Sequence, residues 1–323
     1  MGFNYRKSIK VMPGVRMTMS KSGVSASVGG RGARITKSTT GRTTKTVGIP
    51  GTGLRHISSS SSGTKSRSVS AATSQPKPSR FAPKGEKLLF KALVADDVAA
   101  MESVAQNHPD YSLVAAAAAA ARHVSGGDLV RARELLSWVF STNRDPSQDP
   151  FFQTYATGTM TVPIAPGVTA DLPFNRQAIG LLLAELHQDA GDLDAAIGVV
   201  EGLEPTTLAA VSLAELYGSL GRYDEVVDLT DGISNEDDPT ALLLVMRGHA
   251  FRQLGHMTAA RETLREALRS SKRDEMILQR ALAERGWAYL GEGKRAQAKK
   301  DAERLMSQDR SHPMLAGLLD AIG

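Results

Sequence analysis

The chain has 323 residues, a formal net charge of +5 and no cysteine. That length suits two domains, or one repeat array with an appendage. The lack of cysteine excludes disulfides, thiolate metal sites and a cysteine nucleophile, and it fits a reducing compartment, so a cytoplasmic location is expected.

No run of about 18 apolar residues offers a transmembrane helix. Met1 to Lys10 lacks the apolar core of a signal peptide. The modest net charge conceals an asymmetry. Residues 1–85 hold 16 Lys/Arg and no Asp or Glu, while the remainder holds 23 basic residues against all 34 acidic ones, a balance of −11. A positive head is thus joined to a negative body, which points to an anion-seeking segment on a separate domain.

Residues 1–57 alternate with period two. Val15, Met17 and Met19 interleave with Arg16, Thr18 and Ser20, and Val24, Ala26 and Val28 with Ser25 and Ser27. This predicts short strands. Pro13-Gly14, Ser22-Gly23, Gly29-Gly30, Thr40-Gly41 and Pro50-Gly51 supply turns, giving a small antiparallel all-β meander. The stretches Gly29–Arg34 and Gly48–Gly53 lack the Gly-Lys-Ser/Thr of a phosphate-binding loop and read as hairpin turns. The candidate anion-binding residues are Arg6, Lys7, Lys10, Arg16, Lys21, Arg31, Arg34 and Arg42. With only Phe3 and Tyr5 for stacking, contact with a polyanion (nucleic acid or an anionic membrane surface) is expected through its backbone. A solvated basic face is the alternative. The Pro-Gly-Val-Arg, Ser-Lys-Ser-Gly and Gly-Ile-Pro-Gly-Thr-Gly segments resemble an uncharacterised family of short bacterial N-terminal domains labelled a domain of unknown function. The resemblance implies a bacterial protein and no activity.

Residues 58–84 are rich in Ser, Thr, Gly and Pro with scattered Lys and Arg. They have little to bury, so a disordered linker is expected, with a reach of roughly 25–30 Å.

Residues 85–323 carry a repeat. Asp96 to Asn107 reads as the second helix of a partial leading unit. Full units follow at Ala120-His123-Gly127-Ala132-Leu136, Ala184-His187-Gly191-Ala196-Val200 and Ala214-Tyr217-Gly221-Val226. The clearest pair lies between Ala241 and Met306. Arg247-Gly248, Phe251, Gly255, Ala260 and Leu264 recur 38 residues later as Arg285-Gly286, Tyr289, Gly293, Ala298 and Ala302. Small residues belong where two helices of a hairpin cross at about 8–10 Å. Gly248 and Gly286 are placed there on the first helix, and Ala260 and Ala298 on the second. Gly255 and Gly293 are placed at helix ends, in the left-handed conformation. These positions resemble the tetratricopeptide repeat (TPR) family, with Leu244 and Leu282 in place of its tryptophan and Arg247 and Arg285 in place of its leucine. The resemblance implies a mainly α fold: a TPR-like α-solenoid of about five helix-turn-helix repeats plus a partial one, preceded by the β domain and the linker. Residues 307–323 read as a capping helix. One non-helical, proline-rich insertion at 144–174 breaks the period, either as a functional loop or as a cover for an exposed edge.

No catalytic constellation emerges. The seven histidines have no partner at metal-ligand spacing. His123 and His187 fall in the aromatic packing slot of their repeats. The expectation is a non-enzyme with no cofactor and no metal. Its concave groove would be lined by the first helix of each repeat and would bind a protein or peptide through Glu185, Gln188, Asp189, Glu215, Ser219, His249, Arg252, Gln253, Arg280 and Trp287. For Trp287, packing against the next helix is the competing reading. The function expected is an interaction scaffold with the basic head as a second tether; the alternative is a nucleic-acid or anionic-surface binder acting through the head.

Overall fold

The structure, a computed structural model, describes residues 77–156, 159–165 and 168–323, and the backbone of six strands before them. The chain divides into two compact units, Asn4–Pro163 with Thr169–Ala190, and Ile164–Val168 with Gly191–Gly323.

The head is a single antiparallel sheet, in the order β1 (Arg6–Met12), β2 (Val15–Ser20), β3 (Gly23–Gly30), β4 (Ala33–Ser38), β5 (Arg42–Gly48), β6 (Arg55–Ser61). Its register pairs Val15 with Val28, Met17 with Ala26 and Met19 with Val24. The alternation read from the sequence therefore lies in phase across neighbouring strands, as a sheet with one apolar face requires. Strand β6 runs four residues into the segment expected to be a linker, because Ser58–Ser61 complete the ladder opposite Arg42–Lys45. Residues 62–76 of that expected linker lie outside the described residues.

The first unit continues with α1 (Lys84–Ala95), α2 (Val98–Asn107), α3 (Ser112–Gly126) and α4 (Leu129–Ser141). The leading unit is a complete helix pair rather than a partial one. Helix α1 buries Leu89, Ala92 and Leu93, which share one face at helical spacing. It ends at Asp96, whose backbone is left-handed (φ 61°), and the Asp96 carboxylate pairs with Arg122 of α3. Asp97 caps α2, accepting from the Ala100 N–H at 3.0 Å.

The insertion departs from expectation in two ways. It contains a short helix, α5 (Pro150–Tyr155), started by Asp149, whose carboxylate accepts from the Phe151 N–H at 2.8 Å. Its proline-rich part is a two-stranded sheet of β7 (Thr159–Ala165) and β8 (Val168–Pro173). Val162, Leu172 and Phe174 are buried, Phe174 stacks on Phe152 at 5.1 Å, and Tyr155 donates to Glu86 at 2.7 Å. The part of the segment that lies in the first unit is therefore packed rather than an open loop. Helix α6 (Arg176–Asp189) follows, packed on α4.

The second unit contains α7 (Leu193–Glu201), α8 (Thr207–Ser219), α9 (Tyr223–Leu229), α10 (Asp238–Gln253), α11 (Met257–Ala267), α12 (Glu275–Gly291), α13 (Arg295–Gln308) and α14 (Leu315–Ile322). Hairpins α8/α9, α10/α11 and α12/α13 stack so that α8, α10 and α12 pack side by side in one layer. The glycines that follow the first helices, Gly221, Gly255 and Gly293, all have positive φ (71°, 82° and 74°). That conformation costs glycine nothing and frees the helix end to turn back.

Of the two arginines that replace the family's leucine, Arg247 ties α10 back to the end of α9 in the preceding hairpin, and Arg285 ties α12 to α13 within its own. Arg247 donates to the Thr230 carbonyl at 2.7 Å and to Asp231 at 2.9 Å. Arg285 forks onto the buried Asp301 carboxylate at 2.7 and 2.8 Å. The small residues divide their roles. Gly248 lies against Leu264 of α11, as a hairpin crossing requires, whereas the closest approach at Gly286 is to Leu318 of the capping helix α14. The expected capping helix is thus α14, and Leu318 sits in a terminal cluster with Ala283, Ala302, Leu305 and Leu315.

Candidate functional site

A pocket of about 150 Å³ opens between α8, α9, α10 and α12 of the second unit. Its floor is small and apolar: Ala214 and Gly218 from α8, Val226 from α9, and Met246 and Ala250 from α10. Ala214 and Gly218, four residues apart on α8, and Ala250 on α10 leave this gap, since bulkier residues there would close it. Its rim is polar, formed by Glu215, Ser219, Tyr223, His249 and Arg280. Four residues expected to line the groove (Glu215, Ser219, His249 and Arg280) therefore converge on one cavity. Among the described residues, the side chains of Glu215 and Arg280 have no hydrogen-bond or ion-pair partner.

Charge changes sign along this unit. Residues 191–246 contain 12 acidic residues and one basic residue, Arg222, whereas residues 247–323 contain 15 basic and 10 acidic. Glu215 comes from the acidic part and Arg280 from the basic part, so the pocket presents one free charge of each sign.

The rim is held by a buried carboxylate that the spacing argument missed. Glu284, 3% exposed at its side chain, accepts from His249 Nδ1 at 2.8 Å and from Arg252 Nε at 2.9 Å. Burial alone would raise the Glu284 pKa. The hydrogen bond and charge of His249, with those of Arg252, outweigh burial and hold it below its ordinary value. Gln253 lies 3.3 Å from His249 Nε2, and the Tyr223 ring packs edge-on against the imidazole at 5.8 Å. Arg252 is therefore committed to Glu284 and to the fold. Glu284 falls four residues after Arg280 and three before Trp287, on the same helical stripe. That spacing was the available signal, but an acid there also fits a solvated surface.

The remaining expected groove residues lie elsewhere. Trp287 is half-buried against the terminal cluster, with its ring edge near Gly317 of α14, so packing on the next helix describes it. Glu185, Gln188 and Asp189 lie on α6, in the other unit. In that unit His123 is not an aromatic filler. Its Nε2 bonds Glu102 at 2.7 Å, its Nδ1 faces Asp128 at 3.2 Å, and Arg131 shares the Glu102 carboxylate. Among the described residues no cluster of three or more His, Asp or Glu is placed to hold a metal ion, and no helix is long and apolar enough to cross a membrane.

In the head, the register sorts the candidate anion-binding residues by face. Lys10 stands opposite Arg16, and Arg6, Arg34 and Arg42 share their face, while Lys7 pairs with Met19 on the other. Lys21 and Arg31 lie outside the described residues.

Comparison with known proteins agrees with this division. Residues 3–56 match the family described as "Protein of unknown function (DUF4236)", and residues 241–274 match a tetratricopeptide repeat family. The chain thus carries a DUF4236-like segment at its N-terminal end and a tetratricopeptide-like repeat in its second unit. Similar solved structures include the N-terminal domain of the EccA1 ATPase from the ESX-1 secretion system of Mycobacterium tuberculosis. It is 20% identical, with a TM-score of 0.49, over 73% of this chain and 90% of that one. BtubC from P. vanneervenii is 18% identical, with a TM-score of 0.43, over 70% and 91%. A tetratricopeptide repeat protein from Parabacteroides merdae is 14% identical, with a TM-score of 0.40, over 74% and 81%. Comparison with curated proteins gives no match.

Proposed function

We propose that the protein is a non-enzymatic interaction scaffold whose TPR layer α8/α10/α12 binds a peptide segment of a protein partner. The observation that carries this reading is the pocket. Its apolar floor suits one aliphatic anchor side chain, and the unpaired Glu215 and Arg280 on its rim suit flanking residues of opposite charge. A site built to recognise polypeptide needs such a desolvated anchor point with polar groups around it. The head, with 16 basic residues and no acid through residue 85, acts in this reading as a second module that seeks anions.

The floor offers a clean test. A Cβ built on Gly218 meets nothing within 4 Å, so a side chain can start there freely, and Gly218→Leu is expected to project into the pocket it lines while replacing a poor helix former. Urea denaturation should show stability unchanged or raised by about 0.5–1 kcal/mol. Dodecamer peptides selected from a random library against the full-length chain should carry an aliphatic residue next to a charged one. They should lose at least tenfold in affinity on Gly218→Leu. Binders indifferent to the plug, or a library that yields none, would remove this pocket from the function.

A further inference from the structure

We propose that one face of the head sheet is a docking surface for the phosphodiester backbone of duplex nucleic acid, an inference that rests on reading the head as an anion-binding module. The strand register supplies the evidence. Residues directly opposite each other share a face, and the ladders place Lys10, Arg16, Ser27, Thr36, Thr44 and Ser59 in one row. By the same register Arg6, Arg34, Arg42 and Arg55 belong to that face. Six basic residues thus spread from β1 to β6, roughly 24 Å at about 4.8 Å per strand. The positions between them are almost all Ser, Thr or Gly, and Ser, Thr and backbone N–H groups are among those that contact phosphate. The opposite face holds Ile9, Val15, Met17, Val28, Ile35 and Val47 together with Lys7, Lys37 and Lys45, so the strand arginines share one face and the apolar positions the other.

A second observation is the pair Lys10 and Arg16, directly across a ladder from each other. Like charges so placed destabilise a sheet, and no carboxylate occurs in residues 1–85 to offset them. An anion laid across the face removes that repulsion. The choice of anion follows from what the face lacks. It carries no aromatic residue at its register positions, so bases of a single strand have nothing to stack on. An anionic bilayer attracts clusters of four to eight basic residues beside a membrane-anchored or amphipathic segment, whereas here the basic residues are spread one or two per strand across six strands. A duplex, with its continuous phosphate backbone, suits a face of spaced basic residues and needs no sequence preference.

The test uses the full-length chain and a labelled random-sequence 25-base-pair DNA duplex, titrated from 50 to 200 mM salt. Neutralising three residues of the face, Arg16→Gln, Arg34→Gln and Arg42→Gln, should weaken binding at least tenfold. It should also lower the slope of log affinity against log salt by about 2.7, at ~0.9 per phosphate contact. The control removes equal charge from the other face, Lys7→Gln, Lys37→Gln and Lys45→Gln, and should change affinity less than threefold. Arg→Lys at the three face positions should restore binding, which separates lost charge from a lost fold. Equal losses from both faces would overturn the assignment of the face while leaving the head an anion binder. No duplex binding by the unaltered chain at 50 mM salt would overturn the anion reading itself. Binding to phosphatidylserine vesicles but not to duplex would overturn the choice of nucleic acid.

Discussion

Gly248→Leu is expected to destabilise the second unit by about 3 kcal/mol or more, the upper end for overpacking a closed core. A Cβ at position 248 would stand 2.5 Å from Leu264 Cγ, 2.8 Å from its Cδ2 and 3.1 Å from its Cδ1. Leu264 is fully buried and cannot swing aside, so α10 and α11 must separate. The gain in helix propensity over glycine, about 0.8 kcal/mol, is too small to offset this. Urea denaturation followed by helical circular dichroism measures the loss. Trimming the obstruction with Leu264→Ala should recover part of it, so the double variant should be more stable than the sum of the single changes predicts. A loss below 1 kcal/mol in Gly248→Leu would mean that the crossing is not set at this residue. The contrast with Gly218→Leu, expected to be harmless, shows that the two glycines serve different ends: one permits a close approach and the other leaves a gap.

Glu284→Gln should cost about 3 kcal/mol at neutral pH and flatten the acid limb of the stability profile. The carboxylate is buried and receives two charge-assisted hydrogen bonds, from His249 and Arg252. Removing the charge leaves the Arg252 guanidinium facing an uncharged amide. Breaking a buried pair costs ~3–5 kcal/mol, and the lower figure applies because both partners keep a solvent edge. The sign of the pH effect follows from linkage. The Glu284 pKa is lowered in the folded state from its ordinary 4.5, so its contribution is complete above about pH 4.5 and is lost as pH falls through the folded value. The gap between wild type and variant should therefore be widest near neutrality and close in acid. A constant gap from pH 7 to pH 3 would show that the carboxylate is not the stabilising species. Because His249 also lines the pocket, the variant should weaken peptide capture as the imidazole loses its anchor.

What could be read along the chain was whatever depends on local geometry. The recurrence of a small residue, an aromatic three residues later and a glycine four beyond that places Gly248, Phe251 and Gly255 on a helix and at its end. The left-handed backbone of Gly221, Gly255 and Gly293 follows from the steric freedom of glycine alone. The phase of the head's alternation was equally legible, because a period of two fixes which residues share a face.

Tertiary structure decided everything that depends on which helix meets which. Arg252 and Trp287 sit at outward positions of their helices by spacing, yet one is taken by Glu284 and the other by the terminal cluster around Leu318. The insertion's prolines argued against a helix but were silent about the buried hairpin built from Val162, Leu172 and Phe174. Gly286, alike in sequence to Gly248, serves the contact with α14 because the last repeat has a capping helix where the others have a neighbour. Spacing within a helix sets the direction in which a residue faces. The offset between stacked helices, set by the packing of all their side chains at once, decides what it finds there.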